Sequence, residues 1–183
     1  MRNEETEIVK RGQQANRSGE LLQLVSFNLD NEEYGLEILR VQEIIRMQGL
    51  TRVPNSPAFV DGVINLRGKV IPVIALRKRF GLAARPNDKH TRIVVTEIGG
   101  AIVGFVVDSV SEVLRIPAST IEAAPRLGSV NQEFVAGVAK LEGRLLILLD
   151  VERIMSEEEN SALASAPELL PGAVAEEGVL AHV

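Results

Sequence analysis

Gly62-Val63-Ile64-Asn65-Leu66-Arg67-Gly68-Lys69-Val70-Ile71-Pro72-Val73-Ile74-Ala75-Leu76-Arg77-Lys78-Arg79-Phe80-Gly81 consists of two apolar runs around a glycine turn, followed by a basic tail. Runs rich in Val and Ile on either side of a Gly-containing turn signal a β-hairpin. Gly68 can take the positive φ that such a turn requires. The stretch therefore reads as one hairpin of a β-barrel.

The same grammar extends outward. Upstream, Leu22 to Leu29 and Tyr34 to Ile38 flank the polar turn Asp30-Asn31-Glu32-Glu33, giving a first hairpin. Leu39 to Arg46 fits either a short helix, with Val41, Ile44 and Ile45 at helical spacing, or a bent strand. Pro54 and Pro57 mark a loop. Downstream, the chain repeats itself. Tyr34-Gly35-Leu36 through Arg46 aligns with Val103-Gly104-Phe105 through Arg115 at an offset of 69, and Phe59 through Gly68 aligns with Phe134 through Gly143 at an offset of 75. Two copies at this spacing are too few and too long for a solenoid. They predict two related β units, residues 21–85 and 90–150, each with room for about five short strands. Closure into small barrels removes exposed edges.

Residues 1–20 are polar and predict a disordered leader. After Asp150 a C-terminal helix is expected over 151–165, restarted at Ser156, where Ser-Glu-Glu-Glu resembles a capping box with Glu159 at its third position. Residues 166–183 read as a flexible tail.

The 183 residues contain no cysteine, so disulfides and thiolate metal sites are excluded. The polar N-terminus lacks a signal-peptide h-region and no apolar run is long enough to span a bilayer, which predicts a cytoplasmic protein without direct membrane insertion. A formal net charge of -5 argues against a dedicated nucleic-acid binder. Yet residues 67–92 hold eight Lys and Arg against the single acid Asp88, so a small-barrel RNA-binding protein using Arg77, Lys78, Arg79 and Arg92 is the alternative reading. It lacks the aromatic platforms such surfaces use, since aromatics are 3% of the chain.

Catalytic chemistry has few candidates. His90 and His182 are isolated and read as surface histidines, no metal-ligand spacing occurs, and no Gly-x-Ser-x-Gly elbow exists, so neither an enzyme nor a cofactor is expected. Gly62 to Lys69 approaches a phosphate loop but has one residue too many between its glycines, and Val70 replaces the hydroxyl ligand.

The repeat separates framework from chemistry. Gly62 and Gly137, Leu66 and Leu141, and Gly68 and Gly143 are shared, and read as turn and core residues. Arg67 aligns with Glu142, and Asn65 aligns with Lys140. Arg67, with its planar set of donors, is a candidate for binding carboxylates or helix-terminal carbonyls; the bland reading is an exposed turn arginine. Glu43 is its candidate counter-ion. Val41, Ile44 and Ile45 either enter the core or line a groove suited to an amphipathic helix.

These residues carry a resemblance. Phe27-Asn28-Leu29 with Glu33-Tyr34-Gly35, Ile38 through Ile44, Pro57-Ala58-Phe59, Gly62 through Gly68, Val70-Ile71-Pro72-Val73 with Leu76-Arg77 and Arg79-Phe80, and Val106 through Val110 stand in the order of the CheW family of chemotaxis coupling proteins, over residues 21–165. The resemblance implies an all-β fold of two intertwined, related SH3-like five-stranded barrels with short helices. It also implies a non-enzymatic adaptor that couples the regulatory domain of the histidine kinase CheA to the cytoplasmic tip of methyl-accepting chemoreceptors, recruited to membrane-associated arrays. It places receptor binding at Val41, Glu43, Ile44, Asn65, Leu66, Arg67 and Gly68, and assigns no kinase-facing residues. The sequence departs from the family at Ala75, where an acidic residue is usual.

Overall fold

A computed structural model describes residues 19–124 and 133–162. Eleven strands form among these residues: β1 (Leu21–Leu29), β2 (Glu32–Glu37), β3 (Val41–Arg46), β4 (Val60–Leu66), β5 (Lys69–Ala75), β6 (Arg92–Ile98), β7 (Ala101–Val107), β8 (Ser109–Pro117), β9 (Ile121–Glu122), β10 (Val135–Leu141) and β11 (Arg144–Leu149). Two one-turn helices follow the second member of two hairpins, α1 (Leu76–Arg79) after β5 and α2 (Val151–Ile154) after β11. Leu39 to Arg46 resolves as a 3-10 turn at Ile38–Arg40 leading into strand β3, so the bent-strand reading holds and the helical one does not.

The strands assemble as two sheets, ordered β8-β1-β2-β11-β10-β9 and β3-β6-β7-β5-β4. We term these barrel I and barrel II. In barrel I the chain leaving β8 turns at Ala118–Thr120 and returns as β9 to pair with β10. In barrel II, Thr51 bridges to Val63 of β4 and performs the same closure.

The two repeats are present, but they do not each make a barrel. Strands β1 to β5 with α1 match β6, β7, β8, β10 and β11 with α2, and the copies exchange hairpins. Barrel I takes β1 and β2 from the first copy and β8, β10 and β11 from the second, while barrel II takes β6 and β7 from the second and β3, β4 and β5 from the first. The consecutive units 21–85 and 90–150 are therefore corrected to interleaved ones. The exchange is sealed by two parallel pairings, Gly35 opposite Leu148 and Gly104 opposite Val73, which are the same pairing in the two copies. Sequence periodicity fixes which face of a strand is buried, but not which strand lies beside it.

Packing follows this topology. Leu24, Ile116, Ala139, Leu146 and Leu148 fill barrel I, and Ile64, Ile71, Val73, Ile93 and Val95 fill barrel II. The largest buried cluster, including Phe27, Leu36, Ile74, Val94, Phe105, Val151 and Ile154, draws on both sheets and joins the barrels. Gly62 and Gly137 are strand rather than turn residues, each beside a register shift. A Cβ at Gly62 would sit 2.7 Å from the Thr51 carbonyl oxygen, and one at Gly137 would sit 2.8 Å from the Glu122 carbonyl oxygen. Glycine there lets the closing segment cross the hairpin.

The C-terminal helix is interrupted. α2 stops at Ile154, and a new helix, described over residues 157–162, begins after Ser156. The capping box is formed: the Glu159 N–H donates to Ser156 Oγ at 3.2 Å, and the Ser156 N–H donates to Glu159 Oε2 at 3.0 Å. The leader, the tail and the end of the helix expected to 165 lie outside the described residues, except Gly19 and Glu20.

Candidate functional site

The hairpin of β4 and β5 closes in two residues, since Leu66 is paired with Lys69. Both turn residues have positive φ, 52° at Arg67 and 83° at Gly68. This is the combination that matches the right-handed twist of the flanking strands. Glycine adopts it freely, whereas an arginine in the left-handed region costs about 1 kcal/mol. Asn65 helps to hold the turn, because its Oδ1 accepts from the Gly68 N–H at 2.9 Å.

From this turn the Arg67 guanidinium reaches Glu43 on β3 as a fork, with Nη1 to Oε2 at 2.8 Å and Nη2 to Oε1 at 2.7 Å. The counter-ion inferred from the sequence is therefore the observed one. Arg67 remains 75% exposed and Glu43 28%. Two parallel charge-assisted bonds fix the plane of the guanidinium while leaving its outer edge to solvent.

The other candidates occupy different surroundings. On β3, Glu43 is paired with Val95 and Ile45 with Ile93, both core residues of barrel II, whereas Ile44 is paired with Val94 of the inter-barrel core. Alternation along the strand thus sends Glu43 and Ile44 to opposite faces. Ile44 is 38% exposed. Val41 packs against the inter-barrel core and Leu66 against the core of barrel II, both partly buried. The structure brings together Glu43, Asn65, Arg67 and Gly68 at one mouth of barrel II, with Leu66 beneath, and leaves Ile44 on the opposite face of β3. Val41, Ile44 and Ile45 do not form a single stripe.

Most of the basic run is committed to partners within the fold, which weakens the RNA reading. Arg77 is 11% exposed in its side chain and forks onto Asp108, with Nε to Oδ1 at 2.9 Å; its Nη1 donates to the Ala83 carbonyl at 2.8 Å. Lys78 pairs with Asp61. Arg79 donates to the Ile154 carbonyl at 2.7 Å, pairs with Glu159 at 2.9 Å and lies 5.7 Å from the centre of the Phe59 ring. Arg92 donates to the carbonyls of Lys89 and Thr91. Cations spent on internal acceptors do not make a free phosphate-binding face.

The Arg77 cluster is the feature that sequence reasoning missed. Asp108 lies where the chain crosses from barrel II to barrel I, and it also accepts from the Asp30 N–H in the β1–β2 turn at 2.9 Å. Burial alone would raise its pKa, but hydrogen bonds from Arg77 and the Asp30 N–H, together with the charges of Arg77 and Arg85, hold the carboxyl below the usual aspartate value. The hydrogen bond to Asp108 likewise raises Arg77, against the opposing effect of its own burial. No motif links positions 77 and 108; only their 31-residue separation across a barrel exchange does.

His90 is exposed, with its backbone N–H donating to Asp88 Oδ1 at 2.7 Å. His182 lies outside the described residues. Among the described residues no group of three or more acidic, His or Cys side chains converges on a metal-sized site, and no helix is long and apolar enough to cross a membrane. Ala75 is buried at 7% exposure and begins α1 without a side-chain cap, whereas its counterpart Asp150 accepts from the Glu152 N–H at 3.1 Å. Ala75 thus offers α1 no side chain of the kind with which Asp150 caps α2.

Interleaved paired barrels joined by a shared core, with an exposed ion-pair fork on a tight turn, are consistent with a binding module. Comparison with known proteins makes this specific. The CheW-like domain matches residues 23–159. The chain is 43% identical over 134 residues to the chemotaxis protein CheW of Klebsiella aerogenes, covering 73% of this chain and 81% of that one. It is 40% identical over 139 residues to CheW of Helicobacter pylori, covering 76% and 84%. Among solved structures, the scaffolding protein TtCheW from Thermoanaerobacter tengcongensis superposes with a TM-score of 0.70 at 38% identity, covering 76% of this chain and 91% of that one. The chain belongs to the CheW-like family. It is a chemotaxis scaffold, not an enzyme, and its fold is the all-β pair of SH3-like barrels.

Proposed function

We propose that this scaffold couples the histidine kinase CheA, through that kinase's regulatory domain, to the cytoplasmic tips of methyl-accepting chemoreceptors, and that it works in the cytoplasm at membrane-associated arrays. The receptor-facing site is Glu43, Asn65, Leu66, Arg67 and Gly68, flanked by Ile44, with Val41 supporting it from within. The observation that carries this reading is the Arg67–Glu43 fork. It holds a guanidinium at 75% exposure on a tight two-residue turn in which the arginine itself is left-handed. A helical receptor hairpin would meet a solvent-facing donor edge at the barrel mouth, with the apolar Ile44 on the other face of β3.

The test is co-sedimentation of the purified protein with receptor-containing membranes and kinase. Arg67→Glu is expected to reduce receptor association roughly tenfold or more, the scale of an arginine hot spot, with an unchanged unfolding midpoint. Unchanged association, or loss that tracks unfolding, would remove Arg67 from the site. Receptor control of kinase activity in the reconstituted mixture is expected to require the protein.

A further inference from the structure

Barrel I leaves open a groove that barrel II fills with its own chain, and we propose that the missing occupant is the N-terminal segment of this protein, residues 10–18. The groove on barrel I has a volume of about 600 Å³, and its walls include Leu22, Glu37 and Ala136. The repeat offsets carry these residues onto Thr91, Val106 and Asp61. Those three line the corresponding region of barrel II, where only about 90 Å³ remains, whereas on barrel I Glu37 and Ala136 also border a second opening of about 180 Å³ beside Asp150 and Glu152.

The difference is the segment before β6. Ala84 to Asp88 form the remaining wall of the small cavity. They are held there by Arg77 Nη1 on the Ala83 carbonyl, by Arg85 against Asp108 at 3.5 Å, and by the Asp88 N–H on Thr91 Oγ1 at 2.9 Å. The offset of 69 places Ala84 to Asp88 over Ala15 to Gly19, immediately before Glu20, which itself lines the open groove. The segment that would fill barrel I therefore enters from the correct end, and needs almost no loop to reach its site.

Charge favours the same occupant. Lys10-Arg11-Gly12-Gln13-Gln14-Ala15-Asn16-Arg17-Ser18 has three cations and no acid. The groove presents Glu20, Glu37 and Glu122 around an apolar floor that includes Leu22, Ile121 and Leu148. Glu122 is paired with Lys140, but both side chains are more than half exposed, so that pair is readily exchanged for a tethered cation. Tethering also gives the segment a high effective concentration, on the order of millimolar. The docked segment is a strap that completes barrel I, and any basic peptide seeking the groove competes with it.

The absence of cysteine allows a direct test on the full chain. Asn16→Cys combined with Ala123→Cys should oxidise with copper phenanthroline to an intramolecular disulfide at least about tenfold faster than Asn16→Cys with Val113→Cys, which places the second thiol on the edge strand β8. In hydrogen exchange, Lys10→Glu with Arg11→Glu and Arg17→Glu should speed exchange at residues 118–123 by about tenfold, and adding Glu37→Lys with Glu122→Lys should restore protection. Equal cross-linking of the two cysteine pairs, or unchanged exchange in the charge-reversed chain, overturns the proposal. A disulfide found only between molecules also overturns it, and assigns the groove to a separate chain.

Discussion

The mouths of the two barrels carry the same ion pair built from different parts. Glu43 on β3 and Glu112 on β8 are counterparts in the repeat, and each meets an arginine from the facing hairpin. In barrel II that arginine is Arg67, in the turn itself, forked onto a single carboxylate and 75% exposed. In barrel I the turn residue is Glu142, and the arginine is Arg144, the first residue of the next strand, 44% exposed and shared between Glu112 and Glu33. Lys140 replaces Asn65 and cannot accept from the turn, and Glu142 does not adopt the left-handed backbone of Arg67. Duplication kept the requirement for a charge pair across each mouth. Only one copy turned that pair into a bidentate, outward-facing donor.

The crossovers between barrels differ still more, and there the largest effects are expected. Arg77 and Asp108 lock one crossover, while their counterparts Glu152 and Leu39 belong to an open one: Leu39 is 92% exposed and Glu152 pairs with Arg40 at about half exposure. Arg77→Ala should destabilise by about 3 kcal/mol, because it strands a largely buried carboxylate, whereas Glu152→Ala should change stability by less than about 0.5 kcal/mol. Denaturant unfolding measures both, and equal effects would dissolve the distinction.

The lock should also be acid-sensitive. The folded pKa of Asp108 lies below its unfolded value of about 3.9. Its contribution is thus complete above that pH and is lost as pH falls through the folded value. The stability gap between the protein and Asp108→Asn should hold near neutrality and close as the pH drops below about 4. A gap that widens in acid would refute this assignment.

Where the copies agree, substitutions should agree. Gly62→Ala and Gly137→Ala both push a methyl against a backbone carbonyl, and each should cost about 2 kcal/mol. A cost at one and not the other would break the equivalence of the barrel closures. The smallest expected effects lie where one copy lacks what the other has. Ala75→Asp should supply α1 with the cap that Asp150 gives α2, a gain of about 1 kcal/mol seen as a melting point roughly 2–4 °C higher. Ser26 is fully buried, and its Oγ has no partner in the structure, while its counterpart Val95 is an ordinary core residue. Ser26→Ala should therefore be neutral to slightly stabilising, since it removes a desolvated hydroxyl.

The sequence by itself determined whatever depends on neighbours along the chain. The alternation of Val60 to Ala75 and the glycine at 68 specified a hairpin and its tight turn. Ser156 and Glu159 specified a helix start. Two aligned stretches specified a duplicated unit, and the ordered motifs specified the family. Even Glu43 was legible as the partner of Arg67, because both flank the same barrel in the chain. The resemblance implied intertwined barrels, but only the tertiary structure decided which hairpins the copies exchange, that Gly62 and Gly137 serve a crossing rather than a turn, and that Arg77 is buried on Asp108 instead of facing solvent as part of a basic run. Periodicity encodes which face of a strand is apolar, and turn chemistry encodes where it reverses. Neither encodes which of two near-identical hairpins lies alongside, a choice made by packing and charge pairing between residues far apart in the chain.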